Sequence, residues 1–561
     1  MKHWLAQRTL TAVVAAGLLS TTAIAGSMTA LSGSAQAATR KAASNVTLTM
    51  ESSPTNTLTR SFNPFSTTSA IYLVAGTSFI YEPLLQFDAA KAGVVYDWLA
   101  TSYHFGNGGK SITFTIRKGV KWSDGSPLTP ADVAFTYNLV KKNAAINTFG
   151  LDITGVSTAG DTVTIDFPTP QYTNLQNIAS VYIVPEKIWS TVGNPATFTD
   201  PNPVGSGPYV VGTYTPQGFT LTKNPSYWQA GNVRIGTLDF PAYATNTNAE
   251  EALFSGQLDW AGNFIPNLKQ LFLSKSKYNT AWEAPLNTVT LEPNLSKFPF
   301  NDVAVRKAIS LAVNRQQLSS QGEANLEPAA INASGLTLPV FGAYLSPSVA
   351  GATLSRTPQV AAAKKVLEAD GWKMGSNGYF QKNGKTLSFS IQDPSSYSDY
   401  AADGAIIAQN LRAAGMDVTF QGLSVTAWSN DVASGTFDSV IHWSNTSQNP
   451  YGMYNGWLNS ALDTPKSAAG DYEGLHSSVI NRELAAVASA PTLAAEKARL
   501  APIESYMANN LPLIPLVYGV AWSEVNGQQI TGWPTPSNPY ESAQPATPTN
   551  EVVVLHLRPR G

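Results

Sequence analysis

From Thr357 to Phe420 the chain repeats one pattern, helix then strand then helix then strand, and few folds accept it. Thr357-Pro358 supplies a helix start and Gly371 the matching stop. Leu387, Phe389 and Ile391 alternate on one face of a strand. Residues 399–414 predict a second helix closed by Gly415, and Met416–Phe420 a further strand. Helices between strands at this spacing require crossover connections, so an α/β fold with a largely parallel sheet is expected.

The earlier chain carries more separate signals. Asn45–Met50 alternates as a strand, as do Ile112, Phe114 and Ile116, and then Val163, Ile165 and Phe167. Thr129-Pro130-Ala131-Asp132 combines a capping hydroxyl, a proline at the first helical position and an acid at the third, predicting a helix over Ala131–Lys142. A hairpin is expected through Tyr214 and Phe219. Residues 302–319 predict one helix, with Val305, Ala308, Ile309, Ala312 and Val313 on one face. Neither an internal repeat nor a low-complexity linker is visible.

Composition narrows the function. Charged residues make up 13% of 561 and the formal net charge is -2, which offers no basic field for nucleic acid or a membrane surface. There are 13 Trp, 22 Tyr and 22 Phe, enough to serve the core and still line a cleft for weakly polar ligands. Cysteine is absent, which excludes disulfides, thiolate nucleophiles and a lipidated amino-terminal cysteine. His3, His104, His442, His476 and His556 are scattered, without metal-ligand spacing, so neither a metal nor another cofactor is expected.

The amino terminus reads as an export signal. Lys2, His3 and Arg8 precede a charge-free run, Thr9 to Thr39, whose apolar heart is Leu10–Leu19, and Ala35-Gln36-Ala37 is an A-x-A cleavage site. Residues 1–37 are therefore expected to be removed, leaving a soluble protein outside the cytoplasm. An uncleaved anchor is the competing reading, weakened by Ser20, Thr21 and Thr22 within the greasy run.

Enzyme signatures are few. Neither G-x-S-x-G nor a P-loop occurs. Paired carboxylates of a secreted glycosidase remain open, with Glu82, Asp124 and Asp259 as candidates, although Asp124-Gly125 is first of all a turn dipeptide.

Several motifs, taken in order, carry a family resemblance. They are Tyr81-Glu82-Pro83-Leu84-Leu85, Phe114 through Gly125, Leu128 through Val133, Gly205-Ser206-Gly207-Pro208-Tyr209, Asn224-Pro225-Ser226-Tyr227-Trp228, Pro299-Phe300 with Val305 through Ile309, and Leu513-Ile514-Pro515-Leu516. The set resembles the family 5 extracellular solute-binding proteins of ABC transporters, the oligopeptide, dipeptide and nickel-binding class. The resemblance implies a bilobal, type II-like periplasmic binding fold with an extra inserted lobe. Lobe I would comprise residues 38–85, 199–296 and 519–561, lobe II residues 86–198, and lobe III residues 297–518. It also implies a monomer that closes on a small-molecule ligand and delivers it to membrane permease subunits driven by a separate ATPase.

Peptide-binding relatives hold the ligand ammonium with an aspartate in a third-lobe stretch that here reads Val440 through Tyr451, with no acid from Ser439 through Ser460. Segments around Trp260 and Trp533 look like the oligosaccharide-binding branch. An oligosaccharide, a cellobiose-like β-glucan fragment above all, is therefore the expected ligand, with a peptide as the alternative. Trp260, Trp443 and Trp457 are the expected stacking platforms. Asn263, Asn445 and Gln448 are the expected hydroxyl partners, with Tyr451 beside them. Each tryptophan has a second reading as core or inter-lobe packing, and each amide as a loop cap. Trp522 and Trp533 are read as support for the first lobe.

Overall fold

The computed structural model describes residues 46–51, 55–338, 340–463 and 470–561. The expected signal segment lies outside them. No described helix is long and apolar enough to cross a membrane.

A four-stranded sheet opens the architecture, in the order Thr47–Thr49, Thr237–Pro241, Gly218–Lys223, Tyr209–Thr215. Its first pair is parallel and the others antiparallel. The hairpin expected through Tyr214 and Phe219 is the last of these pairs. A second four-stranded sheet, antiparallel throughout, orders Ala100–Gly106, Ser111–Ile116, Thr162–Asp166 and Gly155–Ala159. Ile112, Phe114 and Ile116 all face inward there, as their alternation requires. The helix Pro130–Lys142 packs against this sheet, and its first turn is tied by Thr129 N donating to Asp132 Oδ2 at 2.9 Å. One continuous core joins these elements, from Leu48 through Phe240 to Leu557, so the packing runs unbroken across residues 85–86 and 198–199.

Close backbone approach explains the Gly205–Tyr209 motif. A Cβ on Gly205 would lie 1.8 Å from Ile80 O, and one on Gly207 2.5 Å from Phe79 O. Gly207 N donates to Ile80 O at 2.9 Å, a contact available only to a residue without a side chain.

The C-terminal body, Ala284 to Ala521, is built on a five-stranded sheet in the order Asp417–Leu423, Ser388–Pro394, Ser439–Trp443, Ala284–Pro293, Ile514–Ala521. The strands at 388, 417 and 439 are mutually parallel, as crossover helices demand. The strands at 284 and 514 add antiparallel pairs, so the sheet is mixed rather than largely parallel. The helices Val360–Ala369 and Ser398–Ala413 occupy the expected positions.

The single helix expected over residues 302–319 is divided. Val303–Ala312 ends where Val313 turns extended (ψ 131°), and Asn314 caps a new turn by accepting from Gln317 N at 3.1 Å. A π-helical turn, Leu318–Gly322, follows. The buried Arg315 guanidinium stabilises the break by donating to Ser310 O, Pro515 O and Ser310 Oγ at 2.8–3.0 Å. An asparagine able to cap outweighs apolar periodicity at this point.

Candidate functional site

Two cavities stand out. One, about 610 Å³, is a local feature of the C-terminal body between Trp372, Phe298, Asp302 and Lys382. The other, about 810 Å³, gathers residues from almost every part of the chain: Glu51 and Phe65 near the start, Phe149 and Tyr182, Asn263, Tyr397 and Gln448, and Pro545 near the end. A cleft assembled from such distant segments is the expected location of a ligand enclosed between lobes.

Its chemistry is narrow. Phe65, Tyr72, Phe87, Phe149, Tyr182 and Tyr397 supply aromatic surface, while Gln86, Gln176, Asn177, Asn246, Asn263, Gln448 and Gln544 supply amides. Among the described residues lining it there is no lysine, arginine or histidine, and Glu51 is the one acid. Glu51 stands just beyond the first strand. Its Oε2 accepts from Gly262 N at 2.8 Å and its Oε1 from Asn263 Nδ2 at 2.9 Å. Burial pushes the Glu51 carboxyl up to about 7, against the opposing pull of those two N–H donors. Asn263 is fixed in turn, its backbone N donating to buried Glu524 Oε2 at 3.0 Å.

Two of the seven expected site residues, Asn263 and Gln448, line this cavity. The other five do not, and each has a physical reason. Trp260 is fully buried: its strand pairs with Glu524–Asn526, Trp533 packs edge-on at 5.1 Å, and Nε1 donates to Ala543 O at 2.6 Å. Trp457 lies on the inward face of helix Pro450–Leu458 among Leu336, Met453 and Met507. Tyr451, in the first turn of that helix, packs against the same cluster, and burial pushes its phenol up to about 12. Asn445 is exposed, its amide beside Gly456. Trp443 ends its strand in an aromatic stack with His442 at 4.8 Å and Trp428 at 6.0 Å; behind the cavity it touches Tyr397, which does line it. Burial pushes His442 down to about 4, so its approach to Glu292 at 3.7 Å is not an ion pair.

Gln448 has a second role. Its Nε2 donates to Asp88 O at 2.7 Å, its Oε1 accepts from Gly93 N at 2.9 Å, and its own backbone N donates to Gln176 Oε1 at 2.9 Å. Asn449 Nδ2 adds a bond to Thr173 O at 3.1 Å. These neutral contacts clasp the C-terminal body to the segments on the opposite side of the cleft.

The suggested glycosidase carboxyls do not meet. Glu82 is buried and accepts from Trp228 Nε1 at 2.9 Å, Asp124 sits in an exposed turn against Lys187, and Asp259 Oδ2 accepts from Thr49 N at 2.9 Å. None of the three lines the cavity. Among the described residues no group of three or more His, Cys, Asp or Glu is placed to hold a metal ion.

Glu51, Tyr72, Gln86, Tyr182, Asn246 and Tyr397 line the cavity without having been expected from the sequence. Only Glu51 carries a sequence signal, as an acid directly after the first strand.

The sequence pattern described as "Bacterial extracellular solute-binding proteins, family 5 Middle" matches residues 94–464, well over half of the chain. The chain belongs to this family of extracellular binding proteins, whose members carry solutes rather than transform them. Among curated relatives, the nickel-binding periplasmic protein of Escherichia coli is 27% identical over 65% of this chain and 70% of its own length. Protein XP55 of Streptomyces lividans is 30% identical over 56% of each. The chain spans about half the length of most of the curated relatives it matches. Among solved structures, a periplasmic oligopeptide-binding protein of Thermotoga maritima superimposes with a TM-score of 0.84 at 24% identity, covering 92% of this chain and 99% of that one. Its mannohexaose-bound form gives 0.80 at 25% identity, with the same coverage. The fold is thus the type II-like periplasmic binding fold.

Proposed function

We propose that the chain is the extracytoplasmic binding component of an ABC importer, and that it closes its lobes on a neutral oligosaccharide, with a β-glucan fragment favoured. The observation that carries this reading is the cavity lining: many aromatic rings and amides, no base, and a single acid among the described residues. Pyranose rings present C–H faces to aromatic rings, and their hydroxyls exchange hydrogen bonds with amides. Glu51 fits the same chemistry, since below about 7 it is a neutral acid able both to donate and to accept. The mannohexaose-bound relative supports it further.

Binding would be capture without chemistry. The ligand is enclosed by hinge motion between a discontinuous first lobe, an inserted second and the C-terminal body, and the closed form docks on permease subunits served by a separate ATPase. Export through the amino-terminal segment places the protein outside the cytoplasm.

Glu51 also favours a second reading. Once ionised it would hold the ammonium of an oligopeptide, because a buried ammonium needs a carboxylate partner. A thermal-shift screen against gluco-, xylo- and manno-oligosaccharides and di- to pentapeptides separates the two. Ligand at a hundredfold excess over its dissociation constant stabilises by about 2.7 kcal/mol. Shifts with sugars alone, little changed by salt, support the first reading. Shifts with peptides that vanish when the amino terminus is blocked replace it with the second.

A further inference from the structure

Five carboxyl groups converge in the C-terminal body from neighbouring elements. Glu323 and Glu327 follow the π-helical turn, Asp393 lies near the end of strand Ser388–Pro394, and Asp399 and Asp403 occupy the first turns of helix Ser398–Ala413. All five are buried. In Glu323, Asp393 and Asp403 both side-chain oxygens are enclosed without an N–H or hydroxyl donor; in Glu327 one is, the other accepting from Val520 N at 3.2 Å. Ionised carboxylates are acceptors only, and an enclosed acceptor without a donor is expensive. Glu323 and Asp403 instead face one another, a contact that is a hydrogen bond only when one of them carries a proton.

Among the described residues no cation pairs with the group. Arg315, buried in the same body, spends its N–H groups on Ser310, Ser355 and Pro515. The remaining titratable neighbours are the phenols of Tyr397 and Tyr400. The carboxyls are not placed to hold a metal ion either. A proton is what remains.

We infer that this cluster is an acid-stabilised joint: the C-terminal body is packed around neutral carboxylic acids, so the folded chain is firmest in acid and weakens as its surroundings approach neutrality. The joint sits against the ligand cleft, because Asp393 and Asp399 bracket Tyr397 in sequence and Tyr397 lines the cavity. Burial, then the charges of Asp399 and Asp403, pushes Asp393 up to about 9, and burial pushes Asp403 up to about 8. Carboxyls raised in this way contribute stability that is whole below their ordinary value of 3.8 and is lost as pH rises through the folded-state values. The inference is independent of which ligand the cleft takes.

The test is thermal unfolding of the secreted chain from about pH 4 to about pH 8, alongside the Glu323→Gln/Asp403→Asn double variant. The melting temperature of the native chain should fall by about 5 °C or more over this range, and the variant should fall distinctly less. A flat or rising profile, or an equal fall in both proteins, overturns the inference. So does stabilisation of the native chain alone by calcium or magnesium at the upper pH, which would make the cluster a cation site. If the variant does not fold, infrared spectroscopy of the Asp393→Asn single variant beside the native chain decides: a carboxylic-acid C=O band at neutral pH that is weaker in the variant supports the joint, and an unchanged or absent band overturns it.

Discussion

Buried carboxyls on the two sides of the cleft include two contrasting sets. On the side built from the chain's ends, three buried acids tie distant segments together. Glu551 accepts from Gln86 Nε2 at 2.9 Å and Tyr227 OH at 3.2 Å, Glu541 from Ala89 N at 2.7 Å, and Glu51 from Gly262 and Asn263. In the C-terminal body, Glu323, Asp393, Asp403 and Glu473 are as deeply buried yet meet no donor. Burial raises the acids of both sets, so what separates Glu551 from Glu473 is the number of donors each one meets. Burial alone tells little about a carboxyl until its donors are counted.

The sharpest way to break this contrast is to delete one acid of each kind. Glu551→Ala orphans two buried donors and should cost about 2–4 kcal/mol in urea unfolding at pH 5. Glu473→Ala under the same conditions should cost clearly less, and equal losses would erase the distinction. Next in size is Glu473→Gln. Burial, then the charges of Glu292 and Asp471, raises Glu473, so its contribution is whole in acid and lost as pH rises through its folded value. The glutamine variant should gain about 1–3 kcal/mol over the native chain at pH 8 and almost nothing at pH 5, again by urea unfolding. A gain at both values would point to packing instead.

Gln448→Ala sharpens the comparison at the seam itself. Losing the clasp should weaken ligand binding about three- to tenfold by calorimetry, with the unfolding midpoint nearly unchanged. A large fall in stability would show that the two sides are held together mainly here. The smallest effect belongs to Lys118→Ala, which removes the exposed pair with Asp161 at 3.1 Å and should leave the unfolding midpoint unchanged.

Much of the fold was legible because local and global preferences agree. The capped helix at Pro130, the alternating strand at Ile112 and the crossover run from Val360 to Leu423 needed nothing beyond spacing and punctuation. Legibility failed where tertiary structure decides. The antiparallel strands at Ala284 and Ile514 join the sheet from far along the chain, and no local pattern announces which neighbour a strand will choose. At Asn314 a side-chain cap overrode a good apolar face. The site was the least legible part. Trp260 and Trp457 pack in the core while Tyr72, Tyr182 and Tyr397 line the cavity, a sorting that residue type does not announce, since Tyr81, Tyr137 and Tyr454 are as fully buried as Trp260.

The clasp at Gln448 grips its neighbours through Asp88 O and Gly93 N, which are main-chain atoms. Substitution of side chains along residues 89–92 leaves those two atoms in place, whereas truncation of Gln448 removes both bonds at once. Selection should therefore weigh on the two halves of this contact unequally. Residues 89–92 are the tolerant part of the loop; Gly93 is not, since its φ of 79° favours glycine and a proline there would also remove its N–H.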